Sequence, residues 1–179
     1  MRIIAVDPGT SESAFCIYKQ GAAIVAAKVT NSEILHNARK EWNYLTESLL
    51  AVEGIASYGM SVGKEIFDTC ILIGRLIEAW DARGGKWRLV YRKEVKLFHC
   101  ETVKANDSNI RAALIDRFGP GKDIAIGTKK NPGPLYGIKG DEWSALAIAL
   151  TVAGAPVAPP LFRDPPAPRA PLDYGKEPF

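Results

Sequence analysis

Apolar and polar positions along this chain follow two periods, and the first break between them is the sharpest. Ile3-Ile4-Ala5-Val6 is a short continuous apolar run that stops on Asp7 and the turn residues Pro8 and Gly9. Such a run predicts a strand of a sheet covered on both faces. The polar stretch Thr10 to Ser13 and the strand-like Ala14 to Tyr18 then predict a hairpin, with Ala22 to Val29 as its third strand. Next, Ser32 can cap a helix on which Leu35, Ala38, Trp42, Leu45 and Leu49 recur at spacings of three and four, one buried stripe on a surface helix. Leu49 to Val52 is a second short apolar run, and it too ends on an acid, Glu53, followed by Gly54.

After a Gly-rich loop, Lys64 to Ala82 predicts a helix with Ile66, Cys70, Ile73, Ile77 and Trp80 on one face. Phe67, Ile71 and Gly74 lie on a second face, so this helix needs two neighbours and is either central or at a subunit interface. Trp87 to Tyr91 reads as a strand that leads into the basic Arg92 to Lys96. A helix follows from about Ser108 to Phe118, with Asn106 or Asp107 as its cap and Gly119-Pro120 as its stop. Gly127 to Gly140 is a Gly- and Pro-rich loop holding Lys129, Lys130, Tyr136 and Lys139, which runs into an apolar helix from Asp141 to Leu150. Strands that mix with helices in this order predict an α/β fold. The segment 155–179 holds 8 of the 12 prolines without periodicity, which predicts an extended tail beside one domain over 1–154.

Composition narrows the class. At 179 residues and 47% apolar content the chain can bury one sizeable core. Its apolar stretches are too short for a bilayer and its start does not resemble a signal peptide, so a cytoplasmic protein is expected. Cys16, Cys70 and Cys100 are odd in number, widely spaced and set among apolar residues, which predicts reduced core thiols. The net charge of +3 conceals an asymmetry: Arg83 to Lys139 carries 13 basic and 5 acidic residues, or +8. That concentration suits a polyanion, nucleic acid above all.

The two acids that end core strands set the candidate chemistry. Asp7 can open a Pro-Gly turn, and Asp141 can cap its helix with Glu142 complementing the dipole. Yet two strands that each deliver a carboxylate to one sheet edge bring like charges together, which burial forbids without a metal or a raised pKa.

Asp7-Pro8-Gly9-Thr10 on a first strand, Val52-Glu53 on a later one and a helix beginning Asp141-x-x-Ser144-Ala145-Leu146 together resemble the RuvC family of Holliday junction resolvases. The stretches from Ser57 to Lys64 and from Lys129 to Gly137 are similar to its bacteriophage-type branch. The resemblance runs from Arg2 to about Val152 and implies a ribonuclease H-like mixed sheet flanked by helices. It also implies a homodimer and metal-dependent cleavage of branched DNA by paired nicks. Asp7, Glu53 and Asp141 match three of the family's four metal-binding acids, for Mg²⁺ or Mn²⁺, two ions per site; Ser144 stands where the fourth is usual. Glu142 lies roughly 100° around the helix from Asp141 and is no simple substitute. Lys96 matches a basic residue near the scissile phosphate, whereas Asp107 falls where a second lysine is usual and Lys104 is the nearest replacement. The family's aromatic wedge aligns with Ala56, leaving Tyr58 as the nearest stacking candidate. The DNA-contacting set expected is thus Tyr58, Arg92, Lys93, Lys104, Lys129, Lys130 and Lys139.

Two other classes fit parts of the chain. Asp7 to Ser13 also suits the phosphate loop of an actin-like ATPase, but that fold needs two lobes and a second Gly-rich motif. Ser144 in turn raises a junction-binding protein of the same fold that has lost catalysis.

Overall fold

The computed structural model describes residues 1–19, 22–45, 47–57, 59 and 62–154. Tyr58 and the Pro-rich segment 155–179 lie outside the described residues. Strands β1 (Arg2–Asp7), β2 (Glu12–Lys19), β3 (Ala22–Thr30), β4 (Leu49–Gly54) and β5 (Lys86–Tyr91) form one sheet in the order β3-β2-β1-β4-β5. The first three pair antiparallel as the expected hairpin and third strand, while β1, β4 and β5 run parallel. The helices are α1 (Asn31–Arg39), α2 (Lys64–Asp81), α3 (Arg92–Cys100), α4 (Asp107–Phe118), the short α5 (Lys122–Ala125) and α6 (Glu142–Gly154). None of them is long and apolar enough to cross a membrane.

Side chains alternate across a strand, and here the alternation divides the core in two. Ile4, Val6, Leu50 and Val52 face α1 and α2, packing with Ile34, Leu72, Leu76 and Trp80. Ile3, Ala5, Cys16, Ala51 and Val90 face the other way, onto α3, α4 and α6. Ala5, Ala14 and Ala51 leave room on that side for α6, which is apolar nearly all round and buried from Ala145 to Val152. A helix of that composition belongs in a core.

Several sequence expectations need correction. The helix expected from Ser32 to Leu49 is capped two residues earlier, by Thr30, whose side chain accepts from the Glu33 amide while Glu33 reaches back to the Thr30 N–H. It ends at Arg39 and gives way to a 3₁₀ turn, Glu41–Leu45, so that Leu49 opens β4. Arg92 to Lys96 is the start of a helix, α3; Glu94 accepts from the Tyr91 N–H at 3.0 Å and from Arg88 at 2.7 Å, tying the helix to the strand before it. On α2 the buried face is Thr69, Leu72, Ile73, Leu76 and Trp80; Ile66 and Ile77 are half-buried, and Cys70 is exposed rather than a core thiol. Cys100 is half-buried, and Cys16 alone of the three lies fully in the core. Phe67 and Ile71, on the second face, are 57% and 61% exposed. The α4 cap is Asn106, and Gly119 ends that helix as expected.

The turn after β1 is held from a distance. Asn31 donates to the carbonyls of Gly9 and Thr10, each at 3.0 Å, and accepts from the buried Ser13 hydroxyl at 2.7 Å. One amide thus fixes the loop that follows Asp7 to the start of α1. Asn31→Ala is expected to lower stability by about 1–3 kcal/mol, the cost of leaving part-buried partners unmet, read as a lower midpoint in urea with an unchanged slope.

Candidate active site

Strand register decides where the acids go. Val6 pairs with Val52 in the parallel ladder, so Asp7 and Glu53 are next to each other at the same sheet edge. Asp7 continues the Ile3 and Ala5 face and Glu53 continues that of Ala51, so both side chains turn toward α6. Their carboxyl groups lie within reach of each other, an arrangement that favours a proton held between them. Burial and then the nearby Asp7 charge push Glu53 up to about 8, and burial likewise raises Asp7. Arg92 opposes this; its guanidinium lies 3.8 Å from Glu53 and also pairs closely with Asp107.

The start of α6 supplies the rest. Ser144, the serine at the place of an acid, lies near enough to Asp7 to favour its ionised form. Asp141 is close enough for its charge to raise Asp7, yet its own carboxylate rests 2.9 Å from Lys28. Lys28 also reaches Glu12 at 3.4 Å, and the Asp141 hydrogen bond is the main reason its pKa is raised. Glu142 points away from this centre. It is buried, accepts from the Lys139 N–H at 3.0 Å, and its charge adds to the burial that pushes the Cys16 thiol up to about 12.

Asp7, Glu53 and Ser144 are therefore assembled, with Asp141 beside them and turned toward Lys28. Among the described residues no three acids, histidines or cysteines close around one point as a ready-made cation cage. The donor set nevertheless suits a hard divalent cation. Two carboxyls that share a proton while unpaired would both ionise around such an ion, and a third stands within reach.

The expected basic residues divide into groups. Arg92 lines a cleft of about 250 Å³ with Asp107, Asp141 and Ser144. Lys96 lies one turn along α3 on the same helical face as Arg92. Lys93 is roughly 100° further around the helix, beside a shallow apolar hollow formed by Ile55, Tyr91 and Leu97. Lys104 is exposed in the turn after α3. Lys129 and Lys130 are exposed at the tip of a tight turn closed by Thr128 and Asn131, and Lys139 is exposed just before α6. Sequence reading missed Lys28, Asn31 and Arg111, which sits over Trp143 at 4.8 Å in the same cleft. Lys28 had a signal, as the lone charge within the apolar Ala22 to Val29.

No protein-family model and no curated protein sequence matches this chain. Solved structures do. The structure of Thermus thermophilus RuvC is similar at a TM-score of 0.63 and 16% identity, covering 86% of this chain and 93% of that one. T. thermophilus RuvC in complex with a Holliday junction substrate is similar at a TM-score of 0.62 and 16% identity, covering 86% and 92%. The fold is RuvC-like. The mixed five-stranded sheet flanked by helices is thus the architecture expected from the order of motifs, and the likeness at this identity concerns the fold.

The carboxyl pair has a consequence for stability. A carboxyl whose pKa is raised by folding keeps a proton that the unfolded chain has already released, so stability falls as pH rises through that interval. For Glu53 the interval runs from its ordinary 4.5 to about 8. In chelator-treated protein the melting temperature is expected to fall across it, and Glu53→Gln should remove most of that slope. A melting temperature that stays flat in the unmodified protein contradicts the shared proton.

Proposed function

We propose that this chain is a divalent-metal-dependent DNA endonuclease that resolves four-way or other branched junctions by paired nicks. The observation that carries this reading is the Asp7–Glu53 carboxyl pair, held beside Asp141 and Ser144 at one edge of a RuvC-like sheet. Asp7, Glu53 and Asp141 would hold the metal, the last by exchanging Lys28 for the ion. When bound, Mg²⁺ or Mn²⁺, one ion or a pair about 4 Å apart, supplies a water made nucleophilic at neutral pH and neutralises charge at the phosphate. The chain contributes the remainder: burial strengthens the field of the carboxylates, Ser144 orients Asp7, and Arg92 and Lys96 offer positive charge to the phosphate. Lys93, Lys104, Lys129, Lys130 and Lys139 carry the flanking duplexes, with Tyr58 as the stacking candidate at the branch.

The substrate class is supported by the RuvC neighbour whose structure holds a Holliday junction, and by the +8 charge of Arg83 to Lys139. The stretches from Ser57 to Lys64 and from Lys129 to Gly137 favour the bacteriophage-type branch, acting in a cytoplasm. One observation favours a second reading. Ser144 gives the site a hydroxyl in place of a fourth carboxylate, which suits a protein that binds junctions without cutting them.

A denaturing gel of a labelled synthetic junction separates the two. With Mg²⁺ or Mn²⁺, symmetric nicks are expected from the unmodified protein, and none from Asp7→Asn, Glu53→Gln or Asp141→Asn. These variants should bind the junction as well or better, since each loses a charge that repels phosphate. Binding without nicks by the unmodified protein, under either metal, establishes the non-catalytic reading instead.

Paired nicks require two sites, and we assign the second to a partner copy across α2. Phe67 and Ile71 expose apolar surface there, and a side chain built on Gly74 would meet nothing within 4 Å, leaving room for close approach. A two-fold axis through such a face presents identical sites to symmetry-related strands. Phe67→Asp and Gly74→Trp should each shift the protein toward monomers in light scattering, with nicks that are no longer paired. A monomeric unmodified protein that still pairs its nicks contradicts this interface.

A further inference from the structure

We propose that Arg92 and Arg111 form a two-guanidinium clamp for one phosphodiester of the strand lying along the carboxyl pair, with Asp107 positioning Arg92 and Trp143 positioning Arg111. The inference rests on the nuclease reading, which already gives Arg92 to the phosphate, and adds Arg111, Asp107 and Trp143, to which that reading gives no role. Both arginines line the cleft between the starts of α4 and α6, and Asp141 and Ser144 form its other wall. The charged groups facing it are accounted for. Asp141 is paired with Lys28, and Asp107 with Arg92, which also lies 3.8 Å from Glu53.

Arg111 is different. Its guanidinium stacks over the Trp143 ring at 4.8 Å, and among the described residues that ring is its only partner. A guanidinium held over a ring face by cation–π attraction keeps its N–H donors free for an anion. Trp143 is itself buried in the first turn of α6, so the stacking surface is fixed to the element that carries Asp141 and Ser144. On the other side Asp107 draws Arg92 across the cleft mouth from the first turn of α4. Two guanidiniums lining one cleft beside clustered carboxylates offer N–H donors to a phosphate and do not suit a second cation. Asp107 stands where the resemblance expects a lysine, and an acid there makes sense as the holder of an arginine brought from α3.

The test has two arms. In the first, anisotropy of a labelled four-way junction in Ca²⁺ is followed against NaCl concentration. Each phosphate neutralised contributes about 0.9 to the slope of log affinity against log salt, so losing both arginines should flatten it by about that much, and Arg111→Ala or Arg92→Ala alone by a measurable part of it. Arg111→Lys, which keeps the charge, should retain most of the slope and shows that the alanine variant did not act through folding. In the second arm, single-turnover cleavage in Mg²⁺ is measured for Asp107→Ala, Arg92→Ala and the double variant. Asp107→Ala should slow cleavage about tenfold with no loss of affinity, and should add nothing in the Arg92→Ala background. An unchanged salt slope for Arg111→Ala, or additive effects of the Asp107 and Arg92 changes, overturns the clamp while leaving the nuclease reading intact. If the unmodified protein neither prefers nor cuts junctions, the nuclease reading fails, and the slope comparison on linear duplex still decides the clamp. Absence of any DNA affinity overturns both.

Discussion

Two carboxyl groups placed side by side at the end of a buried parallel ladder are the constraint on which the site depends. Neighbouring strands β1 and β4 deliver Asp7 and Glu53 to one point because their register pairs Val6 with Val52, and the two-residue period turns both acids to the same face. Ionised together in that setting they would repel at short range, so the chain meets them with a shared proton, a serine hydroxyl and a nearby guanidinium. Everything else around the site can be read as answering that charge: Arg92 from α3, Ser144 from α6, and Lys28 holding the third acid to one side.

The small side chains in the sheet serve the same end. Ala5, Ala14 and Ala51 let α6 lie close on the strands, which brings Ser144 within hydrogen-bonding reach of Asp7. Bulkier residues there would lift the helix and separate the serine from the acids. The packing of the core and the composition of the site are therefore one problem, and the helix too is rich in small side chains, with Ala145, Ala147 and Ala149 all fully buried.

Asp7 and Glu53 were legible in the sequence because a continuous apolar run that stops on an acid is a local pattern. The strands β1 to β5 and helices α2, α4 and α6 were legible for a similar reason, each having its own period and its own stop. What escaped was non-local or masked by composition. Arg92 to Lys96 stood out only by its basic charge and showed no element of its own, and the Glu94 link to Tyr91 that makes it a helix start lies among those charges. The break after Arg39 escaped because Trp42 and Leu45 keep the helical spacing while belonging to a 3₁₀ turn. Lys28 and Arg111 could not be assigned, since their partners Asp141 and Trp143 are distant in sequence and meet them only once sheet and helices are packed.

The burial of α6 on nearly every side has a kinetic meaning. A helix enclosed from Ala145 to Val152 is exposed only at its ends, at Asp141 before it and at Ala153 and Gly154, so the amides of its enclosed turns should exchange with solvent chiefly when the whole domain opens. Ser144 sits at the edge of that protected stretch, whereas Asp141, Asp107 and Lys28 meet it from more solvent-exposed positions. Adjustment at this site is left to side-chain rotation in nanoseconds, around a backbone frame that persists for the lifetime of the folded state.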